Sequence, residues 1–509
     1  MNKMRKICSL VLAMVMVFSM AATVFAEGDT TTYSITVPEV AAGEAAHTYE
    51  VYQIFTGTIS GGKLVDVKWG KNGTGTEGET VADTTIADLE AVAEKSDSAK
   101  LDVITSFAKL NGKAYGEVKS GNTLSGVPSG YYLIKDKDGS LNGAVGAYTT
   151  YIVKVVNDVT VSPKSAKPTV DKQVYDNDDK AAVGDNNGWG ETADHAINET
   201  FQFKLTATLS ADTDYDAYET YKVVFTDTMF EGVTFESIES VIVDEVTVKN
   251  YTCTATEGQK GGSWTLTIAD IKAYEGVNLT DGAIVKVIYN AHLNESASVN
   301  SSDGGTENKN TVRLDYSNNP NAGGEGELGT TPEDHVWVFT YEVDNTKYKD
   351  EVKDENVLEG AGFTLYDSDK NVVELYLKDG VYYVYDEKLG DTVTKITEEM
   401  TSQSNGTFNI KGLDVGTYTL EETTVPAGYN KCEPITVVIT ATHAEATDGA
   451  SATTTLTSSL NMTNSIVNKS GTVLPETGGM GTRIFYAAGA ILVLGAGILL
   501  VTKRRMRAK

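Results

Sequence analysis

Hydrophobic and polar residues alternate over short stretches along most of this 509-residue chain. The segments TYTLEE, FQFKLTATL and YYVYDEK place apolar side chains at every second position, and turns rich in Gly, Asn and Asp separate such segments. This pattern is typical of the short strands of β-sandwiches. The exception is Thr85 to Leu110, where Ile86, Leu89, Val92 and Ala93 keep helical spacing. We therefore predict an all-β protein with one minor helical element.

Turn-rich stretches that contain prolines divide the chain between its two ends. They lie near Ser162–Pro168 and Asn318–Pro332. The roughly 450 residues between the ends suit two to four domains. We predict three tandem β-sandwich domains, at residues 27–164, 165–333 and 334–473.

The N-terminal 26 residues have the pattern of a secretory signal peptide. Three cations precede an apolar run that closes on VFA at residues 24–26. The small residues at Val24 and Ala26 favour cleavage after Ala26 over a retained membrane anchor, which is the alternative. The mature chain is therefore expected outside the cytoplasm.

The C-terminal 36 residues, 474–509, combine a short motif, an apolar run and a basic tail. The run from Ile484 to Val501 is uncharged and has eighteen residues, enough to cross a bilayer as a helix. The tail KRRMRAK is typical of the cytoplasmic side. The motif before the run is LPETG: Leu474, Pro475, Glu476, Thr477 and Gly478.

These three parts resemble the sorting signal of Gram-positive surface proteins. There a membrane-bound transpeptidase, a sortase, cuts between the residues equivalent to Thr477 and Gly478. The threonine carbonyl becomes a thioester on the enzyme and awaits an amine. A peptidoglycan amine would give an anchored monomer, whereas a lysine of another copy would give a covalent polymer.

Charge and cysteine content narrow the function further. The formal net charge of −29 would repel DNA and RNA, so we expect no nucleic-acid partner. Cys8 leaves with the signal peptide, so Cys253 and Cys432 allow at most one disulfide. An exported chain of this length must therefore find its rigidity elsewhere.

Three lysines near the first domain boundary differ in the faces that they occupy, because strand side chains alternate between faces. Lys164 follows Pro163 and lies opposite the two valines of VTVSPK, which predicts a solvated position. Lys167 lies in the linker and is expected to be exposed. Lys172 shares its face with valines, where an unpaired amine is costly. An edge lysine that reaches solvent is the alternative.

Inward-facing polar residues recur in two sets. In the middle domain, Asp227 lies on the face of Phe225 and Met229, and Asn310 lies on the face of Val312. Asn308 and Asn318 have the same parity as Asn310 and remain alternatives. No comparable set is apparent in the first domain.

The third domain repeats the order lysine, acid, asparagine. Lys347 shares a face with Val343, Glu422 with Leu420, and Asn468 with Ile466. Asn464 has the same parity as Asn468 and remains an alternative.

Lysine, asparagine and a carboxyl group together can form an intramolecular amide. Burial lowers the pKa of a lysine, which makes the amine nucleophilic, and raises the pKa of a carboxyl group, which can then shuttle protons. Ammonia leaves, and the lysine Nζ stays bonded to the asparagine Cγ. We predict this isopeptide bond between Lys172 and Asn310, with Asp227 as catalyst, and between Lys347 and Asn468, with Glu422 as catalyst.

Nearly the whole chain resembles the sortase-assembled backbone (major) pilins of Gram-positive bacteria. The segments YEVYQIFTG and GYYLIKD resemble the first domain of that family, KPTVDK and FTDTM its middle domain, and GAGFTLYD and YTLEETTVPAGY its last domain. The resemblance implies Ig-like sandwiches of the collagen-adhesin A type in the middle and B type at the C-terminus. The last segment resembles the family's E box, whose glutamate corresponds to Glu422.

The resemblance also implies how subunits join. The family's pilin motif ends in Tyr-Pro-Lys, and its lysine accepts the sortase-held threonine. The corresponding residues here are Ser162, Pro163 and Lys164, with serine in place of tyrosine, and Lys167 is the second candidate. The implied partners are pilus-specific and housekeeping sortases, identical subunits, minor tip and basal pilins, and peptidoglycan. The implied location is a wall-anchored surface pilus.

Other functions fit the sequence less well. The five histidines are scattered without a Ser/His or Cys/His signature, so we expect no enzyme beyond single-turnover self-crosslinking, and no cofactor. Acidic turns such as DNDDKAAVGDNN lack EF-hand spacing, so solvated turns are favoured over calcium or another metal. A wall-anchored adhesin that never polymerises is the main alternative, since it needs LPETG but not Lys164.

Overall fold

The structure is a computed structural model. It describes residues 32–40, 45–60, 63–91, 103–141, 148, 150–155, 157–161, 167–176, 188–210, 215, 218, 220–279, 282–299, 308–319, 328–386, 389, 396–444, 453–456, 463–471, 487–494, 496 and 503. The predicted signal peptide, the acceptor candidate Lys164 and the LPETG motif lie outside these residues.

Strands dominate the regular secondary structure of the described chain, which confirms the predicted all-β class. The predicted helical element is present as the helix Asp83–Ala91, and residues 103–106 form a further helical turn. Val92 and Ala93, which belonged to the predicted helix, lie outside the described residues. The described chain also contains two short 3-10 helices, Ile271–Ala273 and Asp354–Asn356.

The chain forms two compact units. The first comprises Met1–His195, Glu199–Phe339 and Thr442–Thr455, and the second comprises Ala196–Asn198, Thr340–Ala441 and Leu456–Lys509. The division into three domains at 164/165 and 333/334 stays a prediction.

In the first unit, two sheets lie N-terminal to residue 162. One has three strands, in the order Thr123–Pro128, Thr32–Thr36 and Val159–Thr160. The other has five, in the order Lys63–Trp69, Thr48–Ser60, Gly130–Asp136 and Thr150–Val155, with Gly116–Lys119 also paired to Thr48–Ser60.

The strand Thr48–Ser60 contributes to two hydrophobic cores, because its alternate residues face opposite sides of the sheet. Tyr52 belongs to a cluster that includes Leu89 of the helix, whereas Tyr49 and Val51 belong to a cluster that includes Ile35. The five-stranded sheet is therefore packed on both faces.

A third, larger sheet follows in the same unit. Its strand order is Trp189–Gly190, Thr169–Tyr175, Thr200–Thr208, Ile284–Leu293, Val223–Val243, Lys309–Ser317, Asp334–Phe339 and Thr192–Asp194. The strands that branch from this path are Val246–Thr247, Thr252–Cys253, Lys260–Ile268 and Leu328–Thr330.

The 21-residue strand Val223–Val243 gives this sheet its two layers. Its first part pairs with Lys260–Ile268 and Lys309–Ser317, and its second part pairs with Ile284–Leu293. Register shifts after Met229 mark where the strand bends. Its inward side chains therefore face a closed core between the layers, where Asp227 lies.

The second unit contains a six-stranded and a four-stranded sheet. The first runs Ile396–Thr397, Leu375–Lys378, Val381–Val384, Ile410–Leu413, Tyr341–Lys349 and Thr463–Asn468. The second runs Met400–Thr401, Gly362–Tyr366, Gly416–Thr424 and Ile435–Ile439. The strands Ala441–Ala444 and Thr453–Leu456 form a separate two-stranded sheet, and residues Thr442–Thr455 are assigned to the first unit. The strands Tyr341–Lys349 and Thr463–Asn468, far apart in sequence, pair in parallel.

Part of the predicted membrane span is described. Residues 487–494 are helical, and Ile491, Leu492, Val493 and Leu494 are exposed. No helix within the described ranges is both long and apolar enough to cross a membrane.

Candidate functional site: two buried lysine, carboxyl and asparagine clusters

Four strands of the large sheet in the first unit each direct one polar side chain into the core. Lys172 lies on Thr169–Tyr175, Asp227 on Val223–Val243, Tyr289 on Ile284–Leu293 and Asn310 on Lys309–Ser317. All four side chains belong to residues that are fully buried. Lys172, Asp227 and Asn310, which strand alternation placed on apolar faces, therefore lie in the same core. We call these four residues the middle cluster.

The Tyr289 hydroxyl lies at the centre of the middle cluster. It is 3.3 Å from Lys172 Nζ, 3.2 Å from Asp227 Oδ2 and 2.8 Å from Asn310 Nδ2. Lys172 Nζ and Asp227 Oδ2 are also directly hydrogen-bonded. Asp227 Oδ1 and Asn310 Oδ1 are buried and have no hydrogen-bond partner among the described residues. The cluster is connected but not fully satisfied, which is unusual for buried polar groups.

Burial favours the neutral forms of both ionisable groups in this cluster. Desolvation lowers the pKa of Lys172 from its usual value, against the opposing influence of Asp227. Desolvation likewise raises the pKa of Asp227, against the opposing influence of Lys172. A neutral amine is a nucleophile and a protonated carboxyl is a proton donor, so both pKa shifts favour the forms that amide exchange requires.

Aromatic rings enclose the lysine and exclude water. The Nζ atom of Lys172 is 5.0 Å from the centroid of the Phe203 ring and 5.4 Å from that of Tyr289. Trp264 packs edge-on against Tyr289 at 5.1 Å. The low polarity of this wall is the physical source of the desolvation that shifts both pKa values.

The second unit contains an equivalent cluster, which we call the C-terminal cluster: Lys347, Glu422 and Asn468, all fully buried. Lys347 Nζ donates to Asn468 Oδ1 at 2.6 Å. Asn468 Nδ2 donates to Glu422 Oε1 at 2.6 Å, and the same oxygen is 3.3 Å from Lys347 Nζ. One carboxylate oxygen thus touches both nitrogens that an amide exchange would involve.

The environment of Lys347 parallels that of Lys172. Desolvation lowers the pKa of Lys347, and its Nζ atom lies 5.0 Å from the centroid of the Phe363 ring. The backbone N–H of Cys432 donates to Glu422 Oε2 at 2.8 Å, which fixes the carboxylate. The Cys432 side chain also interacts with Lys347 and Glu422, and burial raises the pKa of its thiol.

The structure shows which of the candidate asparagines lies at each cluster, a choice that strand alternation left open. Asn308 bonds through its side chain to the backbone N and O of Ser298, and Asn318 lies one residue beyond the strand that carries Asn310. Asn464 Nδ2 donates to Asn345 Oδ1. Asn310 and Asn468 are therefore the asparagines at the two clusters.

Other lysines have different surroundings. In the first domain, Lys135 is buried but pairs with Asp138 at 2.8 Å and Glu50 at 3.6 Å, as in an ordinary ion pair. Lys167, expected to be exposed, is half-buried. Lys164 and Thr477, predicted for the link between subunits, lie outside the described residues, as does most of the acidic turn at residues 177–187.

Sequence reasoning missed Tyr289 and Cys432. Tyr289 lies on the inward face of its strand with Val287 and Ala291, so parity could have located it, but an inward tyrosine resembles ordinary core. Cys432 follows the E-box-like segment outside any assigned strand. No periodic signal could have placed it beside Lys347.

Two family models match parts of the chain. Residues 344–452 match the SpaA family, described as a prealbumin-like fold domain. Residues 466–506 match the LPXTG cell wall anchor motif. No curated protein matches the chain significantly.

Several solved structures are similar in fold. For the T6 backbone pilin of serotype M6 Streptococcus pyogenes, the TM-score is 0.50 at 16% identity, over 87% of this chain and 100% of that one. For the major pilin SpaD of Corynebacterium diphtheriae, the TM-score is 0.41 at 17% identity, and the match covers 78% of this chain and 88% of SpaD. For BcpA, the major pilin subunit of Bacillus cereus, the TM-score is 0.41 at 16% identity, and the match covers 86% of this chain and 99% of BcpA.

The anchor motif indicates a cell-wall-anchored protein, and the fold is one of β-sandwich domains. The SpaA domain at residues 344–452, the anchor motif and the fold shared with the T6 backbone pilin support the resemblance to backbone pilins seen in the sequence.

Proposed function

We propose that this protein is the major subunit of a covalently polymerised surface pilus, with an intramolecular isopeptide bond at each of the two clusters. The observation that carries the proposal is the recurrence of one arrangement. In both clusters a fully buried lysine, carboxyl group and asparagine form one hydrogen-bonded network beside an aromatic ring. A fully buried lysine is costly even when it is paired with a carboxyl group, and two such sites need a reason.

The reaction at each cluster replaces one amide by another. The neutral lysine Nζ attacks the asparagine Cγ, the carboxyl group takes the proton from Nζ and returns one to the departing nitrogen, and ammonia leaves. The folded core holds the reactants in contact, so proximity replaces an external enzyme. Each carboxyl group ends in its original protonation state.

The bond suits a protein that bears tension. Lys347 and Asn468 are 121 residues apart, and by analogy with disulfide loop entropy a link of this span stabilises by about 5 kcal/mol. Because Lys347 and Asn468 lie on the paired strands Tyr341–Lys349 and Thr463–Asn468, a pull on both strands loads the covalent bond. Reductants do not break it.

Polymerisation uses the sorting signal. A pilus-specific sortase cleaves between Thr477 and Gly478 and joins Thr477 to Lys164 of the next subunit, and a housekeeping sortase attaches the polymer to peptidoglycan. Minor tip and basal pilins are the other partners of such a polymer. The match to the anchor motif at residues 466–506 supports the role of sortase substrate.

Mass spectrometry of the mature chain, residues 27–477, tests the internal bonds. Each bond releases one ammonia, so the intact mass should lie about 34 Da below that of the unmodified chain, or about 17 Da per bond. Asp227→Ala and Glu422→Ala should each restore about 17 Da, each at its own cluster, by peptide mapping. An unmodified mass in the wild type would disprove the isopeptide proposal.

A further inference from the structure

The two clusters differ in the group that touches the asparagine nitrogen. In the C-terminal cluster, Asn468 Nδ2 donates directly to Glu422 Oε1 at 2.6 Å. In the middle cluster, Asn310 Nδ2 donates to the Tyr289 hydroxyl at 2.8 Å, and that hydroxyl donates to Asp227 Oδ2 at 3.2 Å. Aspartate is one methylene shorter than glutamate, and the phenol lies in the gap.

The position of this hydroxyl is fixed by packing. Tyr289 is fully buried, and its ring stacks on Phe203 at 5.1 Å and on Phe235 at 5.8 Å, with Trp264 edge-on at 5.1 Å. Its strand is paired on both sides, with Phe203 opposite Tyr289 on one and Ile238 on the other. A preorganised donor of this kind needs no rearrangement during reaction.

We propose that Tyr289 is a catalytic residue of the middle cluster, where its hydroxyl relays a proton between Asp227 and the departing nitrogen of Asn310. This inference rests on the isopeptide function proposed above and deepens it. Tyr289 touches both reacting nitrogens, Lys172 Nζ and Asn310 Nδ2. In the C-terminal cluster Glu422 reaches both nitrogens itself, so it needs no relay.

In the relay, Lys172 Nζ attacks Asn310 Cγ while the protonated Asp227 gives its proton to the Tyr289 oxygen and the hydroxyl proton moves to Asn310 Nδ2. Asp227 Oδ2, which is hydrogen-bonded to Lys172 Nζ, then takes the proton that Nζ gives up. The bond between Cγ and Nδ2 breaks, ammonia leaves, and both Asp227 and Tyr289 recover their starting forms. Burial raises the pKa of Tyr289 well above its usual value, so the group takes part as a neutral phenol.

The test compares Tyr289→Phe with Asp227→Asn in the mature chain. Unbonded protein recovered under denaturing conditions is refolded, and the bonded fraction at each cluster is followed in time by peptide mass mapping. Tyr289→Phe should slow the bond between Lys172 and Asn310 by roughly 100-fold, the lower range for lost acid–base catalysis. The bond between Lys347 and Asn468 should form at its normal rate in the same molecules, which shows that the second unit has refolded. The fluorescence of Trp264, which packs on residue 289, checks that the first unit has refolded.

A rescue variant separates proton relay from packing. Asp227→Glu lengthens the carboxyl side chain, so the double variant Tyr289→Phe, Asp227→Glu should recover most of the rate, with the carboxyl group in direct reach as Glu422 is. Failure of this rescue, or a wild-type rate in Tyr289→Phe, would overturn the relay. If Asp227→Asn still forms the bond at the normal rate, the isopeptide mechanism of the middle cluster itself is wrong.

Discussion

Lys347 Nζ lies 2.6 Å from Asn468 Oδ1, although 121 residues separate them in the chain. The two residues lie on parallel, directly paired strands, with Lys347 opposite Ile466 and Asn468 opposite Lys349. The contact is thus a diagonal one between neighbouring strands, and the long Lys347 side chain spans the offset. A bond at this point would link the first and last strands, in sequence order, of the six-stranded sheet.

Asn468→Ala should therefore lower the stability of the second unit more than an ordinary buried substitution. Loss of a link of this span costs about 5 kcal/mol by analogy with disulfides, and at this domain size that corresponds to a fall in Tm of roughly 10–20 °C. The intact mass should rise relative to the wild type, beyond the substitution itself, by about 17 Da. Calorimetry and intact mass together check both effects.

Asn464→Ala is the matched control. Asn464 is also a buried asparagine of the same strand, but its side chain donates to Asn345 rather than to Lys347. This variant should still lose ammonia at the C-terminal cluster. Its free energy of unfolding should fall only by the contribution of one side-chain hydrogen bond, about 1 kcal/mol. If Asn464→Ala instead abolished the mass loss, the assignment of Asn468 would be wrong.

How far the sequence could predict these sites depends on the range of each interaction. The inward orientation of Lys172 and Asp227 follows from period-two alternation within one strand, which is local. The choice of Asn310 over Asn308 depends on how the strand Lys309–Ser317 enters the sheet, and parity is identical for both. The bend after Met229 likewise depends on partners distant in sequence, so no local pattern indicates it.

Residues that act through tertiary contact were the least predictable. Tyr289 has the sequence pattern of a core aromatic, and only the meeting of four strands shows what its hydroxyl touches. Cys432 interacts with Lys347 and Glu422 from a segment without regular structure. Both positions result from packing between segments, which periodicity within one segment does not encode.

Bond formation in the middle cluster should follow a bell-shaped pH profile. The pKa of Lys172 is lowered and that of Asp227 is raised, both through desolvation. In the proposed reactive form the pair shares one proton, which lies on Asp227. Below the lowered lysine pKa the amine is protonated and cannot attack. Above the raised aspartate pKa no proton reaches the departing nitrogen. Refolding of unbonded chain across a pH series, with quenching and peptide mapping, measures the profile.

Unfolding at either pH extreme must be excluded as the cause of a lost rate. Trp264 packs on Tyr289 within the same sheet, so its fluorescence reports on the fold at each pH. A rate that climbs steadily to the pKa of an ordinary lysine, with no alkaline decline, would contradict the shared-proton pair.

Reducing agents should leave the thermal stability of the mature chain unchanged. Cys253 and Cys432, the two cysteines of the described residues, are both free. The proposed function assigns rigidity to amide rather than disulfide links, and thiols do not cleave amides. Tm with and without reductant is the measurement, with Asn468→Ala as a sample whose Tm is lower in both conditions. A fall in Tm on reduction would reveal a disulfide that the proposal lacks.

Lys164→Ala should abolish the polymer of the mature protein, because we assign to this lysine the amine that releases Thr477 from the sortase. On a denaturing gel of wall extracts, the wild type should give a ladder of high-mass bands that survives boiling and reductant. The variant should give only the monomer, attached to peptidoglycan through Thr477. Lys167→Ala is the matched control three residues away, and it should keep the ladder. Should Lys167→Ala lose the ladder while Lys164→Ala keeps it, the acceptor is Lys167; absence of a ladder in the wild type would favour a wall-anchored adhesin instead.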